Sequence, residues 1–139
     1  SCDASCPNRV LQHGLTLELE VFHTGDKGWG VRSRVDITRG QFIVEYLGEI
    51  ISNAEGDERG SKYDHEGCSY LFDLDKHLDS RGQRSVRSKH YVLDATHCGN
   101  ISRFINHSCD PNLATYSVLY DSMDIEMPHI GFFAIKDIP

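Results

Sequence analysis

In the stretch RFINHSCDPN, residues 103–112, Asn106, His107, Ser108 and Cys109 stand in a row. The apolar pair Phe104 and Ile105 precedes them, and Asp110-Pro111-Asn112 stops any regular element after them. Carboxamide, imidazole, hydroxyl and thiol beside a core-like segment are costly to bury unless a partner or ligand holds them. Several chemistries can be set against these residues. With His97 and Cys98 upstream, His107 and Cys109 carry ligand atoms for zinc, but the spacing matches none of the usual paired-ligand patterns. A Cys–His nucleophilic pair is equally unsupported, so each His and Cys here reads as a packed side chain. Glu45 and Glu49 share strand parity, yet four residues of strand separate them by roughly 13 Å. Glycosidase carboxylates stand about 5–9.5 Å apart, so both glutamates read as ordinary polar strand residues. Cys2-x3-Cys6 is a metal-ligand spacing with no partner close behind it in sequence.

KGWGVRS, residues 27–33, is a Gly-X-Gly ahead of a strand, without the third glycine and the helix of a dinucleotide site. It reads as a hairpin turn with a core tryptophan. Its two glycines would also let a ligand approach the backbone, with the indole of Trp29 covering it.

The elements that must position these residues are mostly of period two. QFIVEYLGEII puts Phe42, Val44 and Tyr46 on one face and Ile43, Glu45 and Leu47 on the other, and is predicted as one strand. SYLFDLD alternates similarly, with Tyr70, Phe72 and Leu74 together. HYVLDA, ATYSVLY and HIGFFAIKDI also read as strands. SNAEGDERGSKY is the helical candidate: Ser52 and Glu55 form a capping box, while Gly56 and Gly60 weaken the helix. ISRFINH spaces Ile101, Phe104 and Ile105 as one or two helical turns. The expected fold class is mainly β, in several small sheets with little helix.

The chain of 139 residues is enough for one domain with a sizeable core. No apolar run approaches the ~20 residues of a membrane span, and no signal peptide opens the chain, so no membrane partner is expected. A net charge of −7 disfavours non-specific nucleic-acid binding and suits a cationic partner. Five cysteines cannot all pair, which fits a reducing compartment with free or metal-bound thiols. Residues 76–89 depart from the average. Lys76, Arg81, Arg84, Arg87 and Lys89 face few acids and almost no apolar residues, so the segment reads as a surface loop that could touch nucleic acid weakly.

The order of the pieces is more specific than any one of them. CPNRV, GWGVRS, GQFIVEYLGEIIS, YLFDLD, GNISRFINHSCDPN and GFFAIKDI follow one another in a way that resembles the SET-domain protein lysine methyltransferases. The likeness is to the heterochromatin class, which methylates histone H3 at lysine 9, and it covers nearly the whole chain apart from the basic loop. The resemblance implies a SET fold with a C-terminal pseudoknot in which RFINHSC threads beside a loop formed by the C-terminal end. It implies S-adenosylmethionine in a pocket on one face and the target lysine entering from the other. Lys27, Gly28 and Trp29 would line the cofactor, with Tyr70, Arg103, Asn106 and His107 completing its pocket. Tyr46 and Phe72 would wall the lysine channel.

Cys109 resembles the ligand that the SET core lends to a post-SET structural zinc. Cys2 and Cys6 resemble the end of the zinc-rich pre-SET region, so residues 1–8 are expected to be its tail and residues 9–139 the SET domain. The chain stops before the family's main catalytic tyrosine and post-SET cysteines, which implies a core fragment with little activity alone. The implied partner is the histone H3 tail in the nucleosome. The implied setting is the nucleus, in heterochromatin formation and gene silencing. The other function the resemblance allows is a catalytically inactive module that binds chromatin or protein partners.

Overall fold

The computed structural model describes residues 3–67, 69–74 and 91–139. Cys2, Cys68 and the basic loop at 76–89 lie outside the described residues. Among the described residues eight strands and one helix follow one another: β1 Leu19–His23, β2 Trp29–Ser33, β3 Phe42–Tyr46, β4 Glu49–Ser52, α1 Asn53–Glu66, β5 Leu71–Asp73, β6 Tyr91–Asp94, β7 Leu113–Val118 and β8 His129–Ala134. A 3₁₀ turn at Ile101–Phe104 precedes β7. The strands form three antiparallel sheets, β1–β2, β3–β8–β7 and β4–β6–β5. Small sheets with little helix are what the period-two patterning predicts. No described helix is long and apolar enough to cross a membrane.

The chain divides into two compact units. One comprises Ser1–Tyr46, Phe104–Val118 and His129–Pro139; the other comprises Leu47–Arg103 and Leu119–Pro128. The first holds the β1–β2 hairpin and the β3–β8–β7 sheet. Its core includes Leu11, Ile37, Phe42, Val44, Tyr46 and Ile130. Apart from Glu45, which is half-buried, every residue of β3 is buried, so the strand is covered on both faces and not on one. Strand β1 is not among the predicted strands. Leu15, Leu17, Leu19 and Val21 do alternate with Thr16, Glu18 and Glu20, so the signal was present.

In the second unit α1 lies beside the β4–β6–β5 sheet. Ser52 caps it, its hydroxyl accepting the Glu55 N–H at 3.3 Å. Gly67 ends it in the left-handed region, φ 76°, and donates its N–H to the Tyr63 carbonyl. The helix therefore runs three residues beyond the predicted SNAEGDERGSKY. Gly56, costly to a helix by about 1 kcal/mol, faces the sheet, where an added Cβ would sit 3.1 Å from Val92. The core here includes Ile51, Tyr63, Leu74, Val92, Leu93 and Ala95.

The single strand expected over QFIVEYLGEII is two strands. The chain breaks at Leu47–Gly48 because Gly48 lies against the backbone of Asp94, where a Cβ would be 2.8 Å from its carbonyl carbon. Hence β3 joins β8 and β4 joins β6. Glu45 and Glu49 consequently do not share a strand, and neither is an idle polar residue. Glu45 lies 2.5 Å from His129 Nδ1, and Glu49 accepts from Arg59 Nη1 at 2.8 Å.

Candidate functional site

Five of the sequence-predicted cofactor residues gather in the first unit. The hairpin turn is tied by Thr24, whose N–H and hydroxyl both donate to the Gly28 carbonyl, at 2.7 and 2.9 Å. Gly28 holds a left-handed backbone, φ 66°, that a side chain would strain. This turn projects Lys27 and Trp29. Asn106 Nδ2 donates to the Trp29 carbonyl at 2.8 Å, and Lys27 Nζ donates to the His107 carbonyl at 3.4 Å. Two stretches almost eighty residues apart are thereby joined. A cleft of about 510 Å³ adjoins them, lined in part by Phe22, Thr24, Lys27, Gly30, Ile105 and Asn106.

Two expectations fail at this place. Trp29 is not a core residue: it is 54% exposed, standing at the turn with its ring edge-on to His23 at 5.5 Å. Nor are His97, Cys98, His107 and Cys109 packed, since all four are exposed. The polar row Asn106–Cys109 avoids the cost of burial by staying at the surface. Phe104 and Ile105 are half-buried beneath it.

The other two predicted cofactor residues meet in the second unit. Asn100 starts the 3₁₀ turn, its side-chain oxygen accepting the Ser102 N–H at 3.1 Å. The turn delivers Arg103, whose Nη1 donates to the carbonyls of Ala95 and Thr96 at 2.9 and 3.0 Å. The Arg103 guanidinium lies over the Tyr70 ring, 4.9 Å from its centroid, as a cation–π contact. The Tyr70 carbonyl in turn accepts the Ala95 N–H at 3.1 Å.

The predicted lysine-channel residues fall in different units. Tyr46 ends β3, buried, with its ring 6.3 Å from that of Phe132. Phe72 is the middle residue of β5, opposite Leu93 of β6. Of the predicted zinc ligands, Cys6 is half-buried and Cys109 exposed. Among the described residues no three His, Cys, Asp or Glu side chains gather as a metal site.

Residue types and spacing alone missed a buried hub. Asp94 is 1% exposed and accepts from Arg59 Nη1 at 2.9 Å, Tyr63 Oη at 3.0 Å and the Thr96 N–H at 2.9 Å. Burial pushes its carboxyl up, but the bonds from Thr96, Arg59 and Tyr63 outweigh this and hold it at about 2. Arg59 also pairs with Glu49 and Glu55, and its guanidinium is held further above its ordinary range by Glu49, Asp94 and Glu55. Glu49 is lowered by the Arg59 hydrogen bond. The available signal was an acid closing the apolar strand HYVLDA, since such a carboxylate demands partners. The two side-chain partners, Tyr63 and Arg59, are 31 and 35 residues away in sequence.

A family model described as the SET domain matches residues 28–139, well over half of the chain. The chain belongs to the SET-domain family. Among its relatives is a Schizosaccharomyces pombe protein named a histone-lysine N-methyltransferase, H3 lysine-9 specific. The two are 48% identical over 138 residues, covering 99% of this chain and 26% of that protein. The solved structure of the Neurospora SET domain protein DIM-5, a histone lysine methyltransferase, superposes with a TM-score of 0.82 at 41% identity, covering 100% of this chain and 55% of that one. Arabidopsis thaliana SUVH6, solved in complex with SAM, gives a TM-score of 0.81 at 41% identity, covering 99% of this chain and 28% of that one. The SET chain spans about 10% to 32% of the length of the curated relatives it matches.

Proposed function

We propose that this SET chain is the core of an S-adenosylmethionine-dependent protein lysine N-methyltransferase acting on histone H3 at lysine 9, in the nucleus and in heterochromatin formation. The observation that carries the proposal is the join of Lys27 and Trp29 to His107 and Asn106 across the chain, by two hydrogen bonds at an open cleft. The donor set suits the cofactor. An exposed indole offers a stacking face for a base, the Lys27 ammonium offers charge to a carboxylate, and the Asn106 and His107 side chains are exposed and polar. The residues proposed to hold it are Lys27, Gly28, Trp29, Asn106 and His107, with Tyr70 and Arg103 of the second unit. When bound, S-adenosylmethionine supplies a sulfonium methyl for an in-line displacement.

The protein's work is orientation and deprotonation. A substrate lysine has an ordinary pKa near ~10.4 and must lose its proton before it attacks. Tyr46 and Phe72 are the aromatic side chains proposed to surround it. Their low polarity disfavours the ammonium by desolvation, against a partly opposing cation–π attraction. Aligning the amine with the methyl then accounts for much of the rate. This displacement needs no metal. Structural zinc takes four ligands, and the described residues do not assemble such a set. Cys2 and Cys6, in the proposed pre-SET tail, and Cys109, lent by the proposed SET domain of residues 9–139 to a post-SET zinc, remain proposed ligands. Metal analysis of the full-length protein should show one zinc equivalent fewer in Cys109→Ser and none fewer in Cys68→Ser; unchanged zinc in Cys109→Ser would make it a plain surface thiol.

The direct test is methyl transfer from labelled S-adenosylmethionine to two H3 tail peptides, one natural and one with arginine in place of lysine 9. The expected result is label in the natural peptide alone. Label in both would move the target to another lysine. Cofactor binding without transfer by the full-length protein would favour the inactive, partner-binding module.

A further inference from the structure

Asp94 plays no part in the chemistry above, yet two independent features fix the backbone that follows it. Its carboxylate takes three donors, from α1 (Arg59 and Tyr63) and from Thr96 two residues on. The last of these closes a turn over residues 94–96. On the backbone side, Gly48 and Gly99 press against the same turn. A Cβ on Gly48 would stand 2.8 Å from the Asp94 carbonyl carbon and oxygen, and one on Gly99 would stand 2.9 Å from the Ala95 Cβ. Ala95 itself is fully buried. What this clamped turn presents is specific. The Ala95 and Thr96 carbonyls receive the Arg103 guanidinium, and the Ala95 N–H donates to the Tyr70 carbonyl. The cation–π pair Arg103–Tyr70 is thus suspended from one three-residue template at both ends.

We infer that Asp94, with Tyr63 and Arg59, is a positioning residue for the cofactor: it sets the Ala95–Thr96 carbonyls that aim Arg103 over Tyr70. The inference rests on the assignment of Arg103 and Tyr70 to the cofactor. Its mildest probe is Tyr63→Phe, which removes one hydroxyl from Asp94 and leaves the apolar ring in the core. Losing one hydrogen bond to a charged group, Tyr63→Phe should weaken S-adenosylmethionine binding about fivefold. Asp94→Asn, which loses the charge facing Arg59, should weaken it about tenfold or more. The Michaelis constant for the H3 peptide should stay within about twofold in both, which general loosening of the fold would not allow.

The experiment is calorimetric titration of S-adenosylmethionine into the full-length protein and its Tyr63→Phe, Asp94→Asn and Arg103→Lys variants, and into the two double variants that combine Arg103→Lys with either of the others. Lys62→Ala, in an exposed i,i+4 pair with Glu58, is the control and should match the parent. If Asp94 acts through Arg103, the effects of Tyr63→Phe and Asp94→Asn shrink to nearly nothing in the Arg103→Lys background. Tyr63→Phe keeps the core ring, so the test still discriminates even where Asp94→Asn does not fold. Full additivity, or unchanged affinity in folded Tyr63→Phe while Arg103→Lys is weakened, overturns the inference. Unchanged affinity in Arg103→Lys itself overturns instead the assignment of Arg103 to the cofactor.

Discussion

The Asp94 hub and the Asn106–Cys109 row hold polar groups in opposite ways. Asp94 is sealed from water and takes three donors at 2.9 to 3.0 Å. Asn106 and His107 are exposed, and the bonds at the cleft link one side chain to one backbone carbonyl each. A buried carboxylate that loses a donor has no water to replace it, so its cost is large. An exposed amide that loses a partner is rehydrated, so its bond is exchangeable. The frame is therefore built from the first kind of contact, while the surface proposed to meet the ligand is built from the second. Changes at the frame should be felt in stability as well as in affinity, whereas changes at the row should be felt in affinity alone.

The largest expected effect is that of Asp94→Ala. It leaves the Tyr63 hydroxyl unpaired beside a buried gap and takes one of three carboxylates from Arg59, which keeps Glu49 and Glu55. It should destabilise the protein by about 2–3 kcal/mol in chemical denaturation. A cost below about 1 kcal/mol would mean that the hub is no frame. Next is acid. The Asp94 carboxyl is lowered from 3.8 to about 2 in the folded protein. The unfolded chain thus binds that proton first as pH falls, and the stability contributed is complete above about pH 4 and gone below about 2. The contribution is about 2 kcal/mol, so the stability difference between the parent and Asp94→Asn should narrow by that amount across this window. A difference flat from pH 5 to 2 would contradict the assignment.

Smaller effects are expected outside the frame. Lys27→Ala, on the hairpin turn that bonds to the row, should change stability by no more than about 0.5 kcal/mol, as surface substitutions usually do, while weakening cofactor binding severalfold. Shortening 76–89 should leave folding and peptide methylation nearly unaltered. Its measurable consequence should be weaker binding to nucleosomes or nucleic acid, seen by gel shift at varied salt.

What the sequence disclosed follows the same division. Local rules sufficed for Ser52 as the helix cap, for the period-two strands and for the turn at Gly28, because each is settled within a few residues. Motif order also paired two stretches that the fold joins, since GWG and NHSC are bonded in space through Asn106 and the Trp29 carbonyl. Failures occurred where a distant neighbour decides. Gly48 breaks QFIVEYLGEII because the Asp94 backbone occupies the space of its side chain. Large aromatics are usually buried, which places Trp29 in the core on sequence alone, but the hairpin tip carries it outward. Glu49 and Asp94 are unrelated in sequence, and only in space does Arg59, between them along the chain, bond to both.

The central claim, that the exposed Asn106–His107 row binds S-adenosylmethionine rather than supporting the fold, meets its most direct test in one calorimetric comparison. S-adenosylmethionine is titrated into the full-length protein and into Asn106→Ala and His107→Ala, each with its thermal melt. The expected result is cofactor affinity at least about fivefold weaker in both variants, since a lost ligand contact costs about 1–3 kcal/mol, with melting temperatures within a few degrees of the parent. Unchanged affinity in both variants, with or without a lowered melting temperature, would contradict it.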